Sequence, residues 1–414
     1  MILHRSRASS QKARFVFAFA AAIILSAVSH GAEYKKVYSF TGGFDGSDPA
    51  SPLTFDSAGN AYGTTAAGGD SDLGTIFMIT PSGQEQVLYS FEGGGDGSDP
   101  HGGVILDSAG NLYGTAVAGG FGGICAGDGC GVVFELQNSG GNWSLVTLYS
   151  FTGLNDGFGP GSPLIFDSTG NLYGTAPDGG AHGAGVVFEL SPTSDGWKQK
   201  VIHAFTGGKD GAVGSLGALL LDAAGNLYGT TELGGGPAGA GSIYRLSPNG
   251  HGAFKSTVLY DFQGMPDGAN PYGGLIADTA GNLYGTTYFG GASGMGTVFQ
   301  LTPGPNGTWQ ENTLYTFQGG TDGSFPTTTL LFDSAFTLYG TTSTGGRPSC
   351  DCGTIFSLKL SRGHWKEKLL HHFGVGRDGS YPIYGLTFDA AGNLYGTTPV
   401  GGANGQGLVF AVTP

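Results

Sequence analysis

The triplet Tyr-Gly-Thr occurs seven times in this chain, at Tyr62, Tyr113, Tyr173, Tyr228, Tyr284, Tyr339 and Tyr395, with spacings of 51, 60, 55, 56, 55 and 56 residues. A period that long and that regular describes an array of supersecondary units that bury their apolar faces against one another, rather than one irregular core. The repeat constrains the fold far more tightly than it constrains the function.

The fifth copy shows the unit. Residues 274–278 are a short apolar run ending in Asp278, residues 279–282 a turn with Gly281, and residues 283–287 a second strand, so the first two strands form a hairpin. A loop with Gly290-Gly291 leads to a third strand over 296–301, a turn over 302–307 precedes a fourth over 309–317, and Gln318-Gly319-Gly320-Thr321-Asp322-Gly323 opens the next copy. No stretch has helical periodicity. Glycine makes up 82 of 414 residues, far above the usual share of about 7%, but the glycines recur at fixed places between strand-like runs, which marks turns and bulges rather than disorder. Four antiparallel strands per unit predict an all-β, seven-bladed β-propeller. A calcium-binding β-solenoid is excluded, because its glycine units recur about every nine residues and these recur about once per copy.

The termini predict how the ring closes. Tyr34 to Phe40 reads as a fourth strand and Leu408 to Val412 as a third, so the seventh blade lacks the strand that the N-terminus has to spare. Pairing the two would remove the seam and its unpaired backbone. The tyrosines of the repeated triplet are expected to pack between blades, with the adjacent glycine letting the neighbouring blade approach closely. Trp143, Trp197, Trp309 and Trp365 each precede the fourth-strand Phe by eight residues, an even offset that would place both aromatics on one strand face, either packed at the blade's outer edge or free to stack on sugars.

Residues 1–32 are expected to be a signal peptide: Arg5, Arg7, Lys12 and Arg14 precede an apolar run over 15–28 and then small residues. The mature domain, 33–414, would carry 13 Lys and Arg against 31 Asp and Glu, a formal charge of −18. That balance argues against nucleic acid and anionic membranes as partners, and no membrane insertion is expected after cleavage. Export in turn favours a disulfide between Cys125 and Cys130; a bridge between Cys350 and Cys352 is tighter and less favoured. Secretion to the cell exterior or periplasm is the expected destination.

In a four-stranded blade, the loop between second and third strands shares a face with the loop between one blade's fourth strand and the next blade's first. The latter carries Asp45, Asp96, Asp156, Asp210, Asp267, Asp322 and Asp378, each followed by glycine. Asp-Gly is a favoured turn pair, and a ring of seven carboxylates is also a candidate ligand rim. Asp48 and Asp99, each three residues beyond, cluster hard oxygens and are candidate calcium ligands, calcium being the one cofactor this pattern admits. The paired His371 and His372 stand where other copies carry Tyr-Ser and read as ordinary outer-strand residues. The nucleophile elbow, zinc-protease, P-loop and dinucleotide signatures are all missing.

The succession L-x-F-D-S-A-G-N-L-Y-G-T-T, G-G, G-T-V-F-x-L-T-P, L-Y-S-F and G-G-x-D-G resembles the GloVer-type tandem repeat of choice-of-anchor exported bacterial proteins, from Val37 to Pro414. The resemblance implies a propeller-type surface or secreted protein and brings no catalytic residues. Because the chain reaches Pro414 directly after a strand, release rather than anchoring is expected. The reading is a non-catalytic binding module for a polysaccharide or surface protein; a polysaccharide-acting hydrolase or lyase, and a structural envelope or matrix protein, are the alternatives.

Overall fold

The computed structural model describes residues 32–414 except 126, 215, 216, 251, 375 and 376. The expected signal peptide, Ala32 apart, lies outside the described residues.

Seven antiparallel sheets follow one another along the chain, each with four main strands, and together they form the expected β-propeller. The fifth blade uses Ile276–Ala277, Leu283–Thr287, Thr297–Pro303 and Trp309–Thr316 in that order. The first strand is shorter than its apolar run. The backbone just before it is engaged by neighbouring blades instead of its own ladder: Gly274 N donates to Thr329 Oγ1 at 2.9 Å, and Thr286 Oγ1 donates to the Thr328 carbonyl at 3.2 Å. Most of the equivalent threonines make the latter bond, Thr64 to Pro100, Thr115 to Ser162, Thr230 to Gly273, Thr341 to Pro382 and Thr397 to Ser51 among them.

Ring closure is as the termini predict. Glu33–Ser39 pairs antiparallel with Leu408–Thr413, giving the seventh blade its outer strand. Phe40 is fully buried and meets Phe77 of the first blade at 5.1 Å in a T-shaped contact. The same edge-to-face pair joins every blade to the next, as in Phe262–Phe299 and Phe317–Phe356, both at 5.2 Å. The closing contact therefore repeats the ring's ordinary contact.

The core lies between blades. One cluster joins Tyr284, Val298 and Phe317 of the fifth blade to Leu330, Leu338, Phe356 and Leu358 of the sixth. The tyrosines do pack across the interface, Tyr284 against Phe332 at 4.9 Å. The glycine beside them has a different reason from the one expected. A Cβ on Gly285 would come within 2.6 Å of Phe299 Cζ, in the same blade, so the glycine makes room for the paired strand's phenylalanine and not for the neighbouring blade.

The tryptophan geometry also differs. Each outer strand carries one bulged residue in its pairing with the third strand, between Val298 and Phe299 in the fifth blade. A bulge shifts the alternation by one residue, so the eight-residue offset spans both faces. Trp309 packs towards the fourth blade with Tyr228, while Phe317 packs towards the sixth. Trp143 and Trp197 lie against Tyr62 and Tyr113 of the preceding blades at 6.5 and 6.3 Å. All four indoles serve inter-blade packing.

Close approach between blades occurs instead at the glycine before the third strand in six of the seven blades. Gly296 has φ +94°, and a Cβ there would lie 2.6 Å from Pro326 Cδ of the next blade and 2.5 Å from the Thr287 carbonyl oxygen. Glycine is the one residue that tolerates both the torsion and the contact. Gly131 and Pro160, Gly241 and Pro271, Gly353 and Pro382, and Gly407 and Pro49 repeat the pairing.

Candidate functional site

The two expected loops share a face and are bonded together, as by Gly291 N to the Asp267 carbonyl at 2.7 Å and Gly69 N to the Gly43 carbonyl at 2.9 Å. The repeated aspartates stand on this loop-rich face and close their own turns. Asp267 accepts from Tyr260 Oη at 3.1 Å and from Gln263 N at 2.8 Å. Asp45 is held by Tyr38 and Thr41, Asp96 by Tyr89 and Glu92, Asp156 by Tyr149 and Thr152, and Asp322 by Tyr315 and Gln318. At two places histidine stands in the tyrosine's place without its hydrogen bond: His203 Nε2 is 3.4 Å from Asp210, and His371 Nε2 is 3.3 Å from Asp378. Burial first, then the bonded carboxylate, pushes the partner tyrosines above their ordinary range.

A second ring of aspartates, to which the sequence reading gave no role, closes the hairpin turns on the opposite face. Asp278 accepts from Ala280 N, Asn282 N, the Asn282 side-chain amide and Tyr284 Oη, at 2.7–3.0 Å. Burial opposes its ionisation, but these donors outweigh it and hold the carboxyl below the usual range. Asp56, Asp167, Asp222 and Asp333 are depressed in the same way. The signal was present in the repeated D-x-x-G-N-L-Y phrase. In the sixth copy Phe336 adopts φ +59° where the other turns place glycine.

Towards the axis of the loop-rich face the repeats diverge. Asp48, Asp99, Asn270, Phe325 and Tyr381 occupy one equivalent position, each just before the proline that packs on the preceding blade's glycine, and each has φ between +54° and +60°. The torsion turns each N–H towards the preceding blade: Asp99 N to Leu73 O at 3.0 Å, Asn270 N to Ala240 O at 2.8 Å, Phe325 N to Met295 O at 2.9 Å, Tyr381 N to Cys352 O at 2.8 Å. Gly159, equivalent in the third blade, makes the same bond to Cys130 O at 3.0 Å. The structure pairs Cys125 with Cys130 and Cys350 with Cys352, so both bridges stand beside these links.

The side chains of this position and its neighbours form two clusters. In the first, His101 Nε2 lies 2.7 Å from Asp99 Oδ1, and the His101 ring is 6.1 Å from that of Tyr384. Tyr384 belongs to the seventh blade and His101 to the second, so the contact passes over the first blade, at the axis. Asp48 sits among them with Oδ1 buried and without a hydrogen-bond partner among the described residues. Burial, reinforced by the Asp99 charge, raises its carboxyl although His101 counteracts. Burial alone would lower His101, but Asp99 and Asp48 bring it above the usual imidazole range. The structure thus brings together Asp48 and Asp99, the two candidate calcium ligands; among the described residues no group of three or more His, Cys, Asp or Glu is placed to hold a metal ion.

The second cluster belongs to the fourth, fifth and sixth blades. Tyr272 Oη donates to Glu232 Oε1 at 2.8 Å, and the Asn270 side-chain amide donates to the Glu232 carbonyl at 3.1 Å. Tyr288 stacks on Phe325 at 4.9 Å, with Phe289 set edge-on at 4.6 Å and Tyr272 5.3 Å away. Of the twelve exposed large hydrophobic side chains among the described residues, nine, including Phe44, Phe121, Met265 and Phe289, lie on loops or strand ends of this face. A recess of about 490 Å³ on the opposite face is lined by repeated residues such as Phe332, Tyr339 and Phe388.

A family model described as Gloeobacter/Verrucomicrobia repeat matches residues 19–236 and 215–414. No curated protein matches the chain. Among solved structures, a putative 6-phosphogluconolactonase from Bacteroides uniformis superposes with TM-score 0.50 at 15% identity, covering 79% of this chain and 85% of that one. PorZ, described as a surface component of the type-IX secretion system of Porphyromonas gingivalis, superposes with TM-score 0.51 at 16% identity; the match covers 88% of this chain and 46% of PorZ. At these identities the likeness is one of fold.

Proposed function

The chain belongs to the Gloeobacter/Verrucomicrobia repeat family, and on that premise we propose that it is a non-catalytic binding module that seats a polysaccharide or surface protein in the axial mouth of its loop-rich face. The observation that carries this reading is backbone torsion. A bulky residue in the left-handed region costs roughly 1–2 kcal/mol, Asp and Asn less, and Phe325 and Tyr381 sit there with Asp48, Asp99 and Asn270. The fold requires only the backbone bond, which Gly159 makes without that penalty. Phe325 and Tyr381, strained at one mouth, are therefore retained for what they present, and Asp48 and Asp99 add carboxylates beside them. Export, through the expected leader and in keeping with the paired cysteines, would place the mouth before extracellular ligands.

The test replaces the four together: D48G, D99G, F325G and Y381G. The full chain is expected to retard in affinity gels containing polysaccharide, while the variant runs freely and melts at or above the parent temperature. A lower melting temperature would make these side chains structural and overturn the reading. The Asp99–His101 pair favours one other reading, a polysaccharide-acting hydrolase or lyase with His101 as the proton carrier. Release of reducing ends or unsaturated products by the parent chain, abolished by H101A, would select it.

A further inference from the structure

We infer that the ligand is a neutral polysaccharide, one pyranose ring of which stacks on the Tyr288–Phe325 pair while Glu232 and Asn270 bind its hydroxyls. The inference rests on the binding reading above.

The aromatic cluster is not a product of the repeat. The position of Tyr288 is Ala66, Val117, Pro177, Glu232, Ser343 and Pro399 in the other copies, and that of Tyr272 is Ala50, His101, Gly161, Leu216, Thr327 and Ile383. The propeller therefore folds at these places with side chains of almost any kind, and aromatics have gathered on one sector. Their rings are neither buried in the core nor fully free: Tyr272, Tyr288 and Phe325 are half-buried and Phe289 is 44% exposed. An aromatic face carries negative charge density, which suits the C–H face of a pyranose.

The edge of the platform is polar in the manner a sugar requires. Glu232 is fixed by Tyr272 and bonded through its carbonyl to Asn270, so its carboxylate is oriented before any ligand arrives. A carboxylate accepts from hydroxyl donors, and the bond is stronger for its charge. Few convergent polar groups beside apolar rings is the usual composition of a small-ligand site. The charge decides the class of sugar. With 31 acidic residues against 17 basic, and with Asp48, Asp99 and Glu232 all around the axis, a uronate or sulfated chain would meet repulsion throughout.

The test is calorimetric titration of the full chain with hexaoses of β-1,4-glucose, β-1,3-glucose, β-1,4-xylose and α-1,4-glucose, and with oligogalacturonate as the anionic counterpart. At least one neutral hexaose is expected to bind and the galacturonate not. Y288A and F325G should each weaken binding by about tenfold, the factor carried by one lost aromatic contact. F325G should do so with an unchanged or higher melting temperature, which a merely structural role for Phe325 would not allow. Equal binding of galacturonate, or parent-like affinity in both variants, overturns the inference. So does failure of every oligosaccharide to bind, but the mouth itself then remains a binding site for a protein if the four-glycine variant still melts at or above the parent. A lowered melt in that variant removes both.

Discussion

The two faces of the disc are made from the same seven repeats, yet they use them in opposite ways. On the hairpin face Asp278 and its equivalents satisfy the same backbone and side-chain donors in blade after blade, and the sequence hardly varies. On the loop-rich face the turn aspartates are equally regular, but a few residues closer to the axis the side chains become Asp, Gly, Asn, Phe and Tyr in six blades that share one backbone conformation. Where a side chain closes a turn, repetition preserves it; where only the backbone is used, the side chain is released for other work.

The largest effect that would break this comparison is removal of residues 33–41, since both faces presuppose a closed ring. Loss of the strand that pairs with Leu408–Thr413, and of Phe40, should abolish cooperative melting and produce light-scattering aggregates. A parent-like calorimetric melt would show that closure is dispensable.

Next in size, D278A strips four donors of their acceptor and should destabilise the chain by about 1–3 kcal/mol in urea unfolding, whereas D48G should not destabilise it at all. Equal losses would erase the distinction between the two kinds of aspartate.

A smaller effect is expected from pH. On the outer strands burial, and then the charge of a neighbouring turn aspartate, raises Glu85 and Glu367 to about 7; burial raises Glu311 to about 6. A carboxyl that binds its proton more tightly when folded stabilises in full below its unfolded value, near 4.5, and loses that contribution as pH rises through the folded value. The depressed hairpin aspartates act in the opposite sense, losing their contribution as pH falls below their unfolded value of 3.8. The melting temperature should therefore be higher at pH 5 than at pH 8, and E85Q, E311Q and E367Q together should flatten the difference. A melt that rises from pH 5 to pH 8 would refute the assignment.

Much of this architecture was legible in the sequence, because a seven-fold repeat presents each strand and turn several times. The blade order, the closure and the shared face of the two loops all follow from it. What escaped was local. A single bulged residue such as Leu314 leaves no mark on composition, yet it moves Trp309 and Phe317 to opposite interfaces. Asp48 and Asp99 were visible as acidic neighbours of a turn, but their approach to His101 and Tyr384 depends on crossing the axis between blades far apart in sequence. Tyr288 and Phe325 were unremarked because divergence from a repeat has no pattern of its own.

The glycine–proline contact between blades has one more consequence. Each pair, such as Gly296 with Pro326, fixes how one blade meets the next and so helps set the turn from blade to blade. A copy inserted or lost at a repeat boundary would find like neighbours on both sides, but the total turn would miss the full circle unless every joint adjusted. The number seven is thus written into the angle of every joint, and it is checked once, when the first strand of the domain finds the last. A lineage of such chains can change the size of its ring by whole-copy duplication only if every joint also changes its angle, with the axial mouth widening or narrowing as it does.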